Sequence, residues 1–445
     1  MCYQFRKGEV AMIVAKFGGS SLSDADQFIK VRRILETEPA RQHIVVSAPG
    51  KRDEADQKIT DLLFTCHQMA QKGEAIDPIF SEVEQRFSQI AHSLGLENYL
   101  SSKLLEIGRA IQDGASLAYT ASRGEYLCAM LMAKWLARPF VDAASLLHFT
   151  AGKLDEEATA HSIRATLLSC EGAVIPGFYG SDSQGDIHIL SRGGSDTSAA
   201  YIAAALDAEM LEIWTDVTGF RAADPRIVPD AQFIASLTYR ELRELSYMGA
   251  SVLHEDAVFP VRTAGIPTSI RNTGNPLHPG TTITYRSQAR VPVVTGIAGK
   301  KGFSIIVLEK NRMNDEVGFA RKVLAVFERH AISFEHLPTG IDALCVMVST
   351  SVFMPKKDAV IEEISKTVDP DSIHTEDHIA LVACVGVGMF RQYGTAARLI
   401  TAVSEQGIGI RTILQAPSEL SIILGVDDIN LDMTVRAIYD AFIRT

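Results

Sequence analysis

Four short stretches carry residues whose types could do chemistry. In "IVAKFGGSS" a lysine, Lys16, sits within an apolar strand-like run, two residues before Gly18 and Gly19. Glycines let backbone N–H groups approach an anion closely and a lysine adds a full positive charge, so phosphate suits them. A lysine snorkelling from a strand end beside a tight turn would use the same residues. "SRGGSDTSAAYIAAAL", from Ser191, repeats the logic: Arg192, a glycine pair, then Ser195 and Asp196 opening an alanine-rich helix. Helix capping would account for Ser195 or Asp196 but not for Arg192 and the glycines. Two such turns, one with Lys and one with Arg, point to a chain of phosphates. In "SRGEYL" (122–127), Ser122 and Glu125 fit a capping box, and a substrate ammonium held by Glu125 is the alternative. "WTDVTGFRAADPR" ends a strand in Thr215 and Asp216 and runs into a loop with Asp224 and Arg226, which could bind a ligand or form a plain turn.

Elements able to position these residues alternate along the chain. Strands are predicted at "MIVAKF", "HIVVSA", "RPFVDA", "GAVIPGF", "EMLEIWTDV" and "IPTSIRN". Helices are predicted over 24–37, 58–72, 78–94, 100–118, 122–137, 155–169, 195–206 and 238–248. "GSDSQGDIHIL" reads as a hairpin. This alternation implies an α/β fold with a mainly parallel central sheet flanked by helices. After "NTGNPLHPGTTITY" the pattern changes, which places a boundary between 284 and 295. Beyond it, residues 318–348 align without a gap on 394–424, each a helix, a strand with Ile332 or Ile408, a bend and another strand. With "FSIIVLE" and "IALVACVGVG" ahead of them, the copies read as two ferredoxin-like βαββ units with no catalytic constellation, hence regulatory.

The bulk numbers exclude several classes. At 445 residues, two or three domains are expected. A net charge of −11 argues against nucleic acid. No run of about 18 apolar residues suggests a membrane helix. Six scattered cysteines, without C-x-x-C, fit reduced thiols and a cytoplasmic location. Met12 is a candidate natural start, with residues 1–11 a dispensable extension. Gly50-Lys51 is no Walker loop, and "GVGMFRQYG" is no dinucleotide fingerprint.

Together, "KFGGSS", "SRGEYL", "SRGGSDTSAA", "WTDVTGFRAADPR" and "ELSYMGASVLH" resemble the aspartokinases of the amino-acid kinase family, and the two repeats resemble tandem ACT domains. The resemblance implies a catalytic domain over 12–290 and ACT domains over 296–368 and 378–445. It implies transfer of the ATP γ-phosphate to the side-chain carboxylate of L-aspartate, with Mg²⁺ assisting and no protein residues assigned as metal ligands. Lys16 and Asp196 would be the catalytic pair. Gly18, Gly19, Ser20, Thr215, Asp216, Arg221 and Arg226 would serve ATP. Thr60, Glu125, Arg192 and Ser195 would serve aspartate, with Glu125 on its ammonium and Arg192 on its α-carboxylate. Feedback by an amino acid, lysine in preference to threonine, would act through Met313, Ser333, Glu335, Thr339, Gly340 and Asp342, in a homodimer or dimer of dimers. The sequence departs from the family at Ser251, where a lysine is common, at Arg221, where a tyrosine is common, and in the long "SAPGKRDEADQKITDLL" segment before Thr60. Rival readings are a kinase of the same fold with another acceptor, and a catalytically silent amino-acid sensor.

Overall fold

The computed structural model describes residues 12–191, 193–250, 253, 255–286, 292–415 and 420–444. They fall into two compact units, the first drawn from 1–220, 233–242 and 251–287, the second from 221–232, 243–250 and 288–445.

The first unit is built on a seven-stranded sheet in the order Val174–Pro176, Arg41–Val46, Ile13–Phe17, Met210–Thr215, Thr268–Asn272, Thr281–Thr284, Ser236–Thr238. Every neighbouring pair is parallel except Thr268–Asn272 with Thr281–Thr284. "IVAKF" and "MLEIWT" are near-continuous apolar runs because both faces of a parallel sheet are covered. Helices Ala25–Glu36, Ile59–Gln71, Asp77–Ser93, Ser101–Gln112 and Leu117–Leu136 bury Phe28, Phe80, Phe87, Leu127 and Met132 in one core. Register aligns Phe17 with Val46 and Trp214, and Val46 with Pro176. The carboxyl ends of four parallel strands therefore open on one edge, the place where α/β sheets bind ligands.

Some local expectations shift. The helix expected over 100–118 stops at Gln112, because the chain turns at Gly114 (φ +94°), and a new helix starts at Leu117 with Ser116 accepting from the Tyr119 N–H at 3.1 Å. "RPFVDA" contributes only an isolated bridge, Phe140 to Val174. Strands Ser236–Thr238 and Thr281–Thr284 were too short and polar to show a period. The hairpin forms from Tyr179–Asp182 and Ile187–Ile189.

The second unit holds a six-stranded antiparallel sheet ordered Phe334–His336, Ala343–Ser349, Gly296–Glu309, Ser372–Val385, Ser421–Asp427, Ile410–Gln415. The two central strands are long, and their pairing shifts register around Gly302 (φ +90°). Ile305–Glu309 faces Ser372–Glu376, whereas Gly296–Lys300 faces Leu381–Val385. Each repeat is thus completed by a strand segment lying outside its own helix–strand–strand stretch, the first by 372–376 and the second by 296–300. Helices Phe319–Arg329 and Lys357–Val368 cover the first half around Val323, Phe327, Val346 and Ile364. Among the described residues, no helix is long and apolar enough to cross a membrane, and the five cysteines are free.

Candidate active site

Lys16 occupies the central strand one residue before its end, between Val45 and Ile213 in register. Its side chain is buried and its Nζ lies 2.5 Å from Asp196 Oδ1. Asp196 stands in the first turn of helix Gly194–Ala205, whose N-cap is Gly193 in the left-handed region (φ +75°) with no side-chain cap. Neither Ser195 nor Asp196 caps that helix, so capping does not explain them. Ser195 is held instead by packing, since a Cβ on Gly177 would fall 2.7 Å from the Ser195 Cβ. Snorkelling does not explain Lys16 either, because its charge meets a carboxylate rather than water.

The Gly18–Gly19 turn is fixed from both sides. The Gly18 N–H donates to the Trp214 carbonyl at 2.8 Å, and a Cβ on Gly18 would lie 3.8 Å from Lys16 Nζ. A Cβ on Gly19 would come within 2.8 Å of the Ala48 carbonyl oxygen, while the Gly50 N–H donates to Gly19 at 2.8 Å. Ser20 follows, half-buried, in the short turn Gly19–Leu22. The next long helix has its own cap, Asp24, accepting from the Gln27 N–H at 2.9 Å. The start of that helix is thus capped by its own side chain, and the backbone nearest Lys16 is that of the Gly18 turn. Beneath it, the buried Glu212 carboxylate accepts from Trp214 Nε1 (2.8 Å), Arg41 (2.7 Å) and Arg271 (3.2 Å). The two guanidinium groups lie 5.1 and 4.9 Å from the centre of the Trp214 ring. This network of charge-assisted hydrogen bonds stiffens the strand that ends in Thr215. Thr215 Oγ1 donates to Asp216 at 3.1 Å, and Asn272 donates to the Asp216 carbonyl at 3.2 Å.

Glu125 lies mid-helix, about two turns past the helix start, so the capping box with Ser122 does not form. Ser122 Oγ instead donates to the Tyr119 carbonyl at 2.7 Å. The Glu125 side chain is buried, and its Oε2 has no partner in the described structure. Burial pushes its carboxyl up to about 8, against the opposing pull of the Ala48 N–H and the charges of Lys16 and Arg123. The unpartnered Oε2, close enough to Lys16 to feel its charge, makes the ionised carboxyl a ready partner for an ammonium group. Gly124 brings this helix onto the next one, since a Cβ there would lie 2.8 Å from Ala48 Cβ and 3.1 Å from Ile59 Cγ2. Thr60, in the first turn of helix Ile59–Gln71, follows directly on the Ile59 that packs against Gly124. Sequence reasoning passed over Arg123, whose buried guanidinium lies 4.4, 4.6 and 5.3 Å from the ring centres of Tyr119, Tyr126 and Tyr179.

Arg192 and Ser251 lie outside the described residues. Arg221 and Arg226 belong to the second unit. Arg221 donates to the Ala231 carbonyl at 2.8 Å, and the exposed Arg226 is paired with Asp224 at 2.6 Å. Among the candidate effector residues, Met313 is core, only 5% exposed. Asp342 accepts the Arg312 N–H at 2.8 Å, Glu335 accepts the Tyr247 hydroxyl, and Ser333, Thr339 and Gly340 are exposed.

The amino acid kinase family profile matches residues 11–272, and an ACT domain profile matches 382–442. Aspartokinase 3 of Bacillus subtilis (strain 168) is 35% identical over 97% of this chain and 98% of its own length. Lysine-sensitive aspartokinase 3 of Escherichia coli (strain K12) is 26% identical, covering 86% of this chain and 89% of its own. The crystal structure of Clostridium acetobutylicum aspartate kinase, described as an allosteric enzyme, matches with a TM-score of 0.94 at 45% identity, over 97% of this chain and 100% of that one.

Proposed function

Because this chain belongs to the amino acid kinase family, and within it to the aspartokinases that carry ACT domains, we propose that Lys16 and Asp196 form its phosphoryl-transfer centre, with Thr60, Glu125 and Arg192 holding the acceptor. The reaction is transfer of the ATP γ-phosphoryl group to the side-chain carboxylate of L-aspartate, giving 4-phospho-L-aspartate. It is the first step of the pathway to lysine, threonine and methionine, under feedback control through the ACT domains.

The observation that carries the site assignment is the 2.5 Å Lys16–Asp196 pair at the carboxyl edge of the parallel sheet. A carboxylate acceptor is ionised at neutral pH, so no strong general base is needed. Catalysis reduces to positioning and charge neutralisation of a loose transition state. Lys16 would meet the transferring phosphoryl oxygens, Asp196 would aim Lys16, and the Gly18–Ser20 turn with Thr215 and Asp216 would hold the nucleotide. Among the described residues no group of three His, Cys, Asp or Glu side chains gathers to bind a metal. An Mg²⁺ ion bound with the ATP phosphates would add charge neutralisation there.

For regulation, we assign Glu335 as the partner of an effector ammonium, since it is half-buried on a strand whereas Asp342 is exposed; each carboxylate already accepts one hydrogen bond, from the Tyr247 hydroxyl and the Arg312 N–H. Lysine, with a second ammonium on its side chain, is the effector this favours. Phe334, 47% exposed on the outermost strand, suits pairing of two copies through their ACT sheets. The direct test is ATP-dependent hydroxamate formation from L-aspartate and hydroxylamine, with and without lysine or threonine. Aspartate-dependent hydroxamate suppressed by lysine is expected. Suppression by threonine alone would overturn the effector assignment, and a product only with another carboxylate would overturn the acceptor.

A further inference from the structure

Helix Asp77–Ser93 carries an arginine, Arg86, on its buried face among Val83, Phe87 and Ile90, with only 5% of its surface exposed. Burial lowers its pKa, and a guanidinium in that setting is tolerated only where its donors are satisfied. All its partners lie on one loop. Arg86 donates to the Gly50 carbonyl at 3.1 Å, to Asp56 Oδ1 at 2.5 Å and to the Gln57 carbonyl at 3.3 Å. Asp56 is in turn locked by Arg52, through its backbone N–H at 2.9 Å and its Nε at 3.0 Å.

The two ends of this loop lead to two different parts of the candidate site. At one end, Gly50 is hydrogen-bonded to Gly19 and packed so tightly on it that a Cβ on Gly50 would meet the Gly19 carbonyl carbon at 2.7 Å. At the other, Gln57 is followed by Lys58, the N-cap of the helix that carries Thr60. One buried cation thus ties together the chain beside the phosphate turn and the chain that presents Thr60. We infer that Arg86 is a positioning residue for the kinase reaction: by clamping residues 50–57 it sets the spacing between the Gly18–Gly19 turn and Thr60. The inference rests on the assignment of Thr60 to aspartate. It gives a role to the long segment before Thr60, whose own residue Asp56 supplies the clamp's counter-charge.

The test uses the full-length enzyme with Arg86→Gln, Arg86→Lys, Asp56→Asn and Thr60→Ala, reading kcat, KM for aspartate and thermal midpoint. Displacement of a reacting partner by an ångström costs about 100-fold, so Arg86→Gln should lower kcat/KM for aspartate by about that factor while remaining folded at the assay temperature. Arg86→Lys should recover only part, because an ammonium cannot span three acceptors as a planar fork does. Millimolar guanidinium should partly restore Arg86→Gln. A purely structural arginine would show a lowered thermal midpoint with kinetics within twofold of wild type, and that result would overturn the inference. If Arg86→Gln does not fold, Asp56→Asn replaces it, with a loss of about tenfold expected and wild-type kinetics overturning the clamp. Thr60→Ala separates the two assignments. A normal KM in that variant would remove Thr60 from the substrate site, and Arg86→Gln would still decide the clamp by its own kcat/KM.

Discussion

The chemistry of this site turns on a few side chains held where water does not reach them. Glu125 is the clearest: a carboxyl raised to about 8 by burial is largely protonated at neutral pH in the free enzyme. Only its ionised form pairs with a substrate ammonium, so kcat/KM for aspartate should rise with pH up to about 8. Glu125→Gln should abolish that rise and lower kcat/KM at pH 8.5 by about 10- to 100-fold. A pH–rate series on both proteins checks this, and an unchanged rise in the variant would exclude Glu125. The stability sign is opposite. The fold favours the neutral carboxyl, so its contribution is whole below the ordinary carboxylate range near 4.5 and is lost as pH rises through about 8. His43 works the other way. Fully buried with both ring nitrogens unpartnered, it is pushed down to about 4 by burial and, secondarily, by Arg138. Its neutral form is native, so stability is full above about 6.5 and falls as pH drops toward 4, by about 3 kcal/mol in all. Because Glu125 pulls the opposite way over the same range, the His43 share is read by difference: on going from pH 7 to pH 5 the wild type should lose about 2 kcal/mol more than His43→Leu in urea titrations, and equal changes in the two proteins would contradict it.

At the scale of elements, close backbone approach does the positioning. Gly19 and Gly124 each sit where a Cβ would strike a neighbour at 2.8 Å, the first against the Ala48 carbonyl and the second against the Ala48 side chain. Gly19→Ala should raise KM for ATP more than for aspartate, and Gly124→Ala the reverse, each costing about 1–3 kcal/mol of stability. Steady-state kinetics with both substrates, beside a urea titration, separates the two. The strand-end lysine and the Asp196 turn were readable in the sequence because each motif is local, an apolar run broken by glycines. The role of Glu125 was not, because Ser122 and Glu125 satisfy a capping-box spacing equally well until the helix start is known to lie at Leu117. Nor was the Arg86 clamp, since its partners stand about 30 residues upstream in a polar loop without a period. The repeats were visible as helix–strand–strand copies. The exchange of strand segments between them was not, because Gly296–Lys300 pairs with residues more than 80 positions away.

For the whole molecule, the unit of the seven-stranded sheet holds Lys16, Asp196, Thr60 and Glu125, and the unit of the six-stranded sheet holds the candidate effector residues. An effector bound at a site of its own controls the phosphoryl transfer only through a difference in affinity between two conformations. Glu335→Gln should therefore weaken lysine inhibition by about tenfold while leaving uninhibited kcat unchanged. A lysine titration of hydroxamate formation reads this, and an unaltered inhibition curve would move the effector ammonium elsewhere. The central claim is that Lys16 is placed at its strand end to meet phosphate oxygens, and kcat of full-length Lys16→Met beside wild type at saturating ATP and aspartate tests it most directly. A fall of about 10³-fold or more with an unchanged thermal midpoint is the predicted result; turnover within a few-fold of wild type would contradict the assignment.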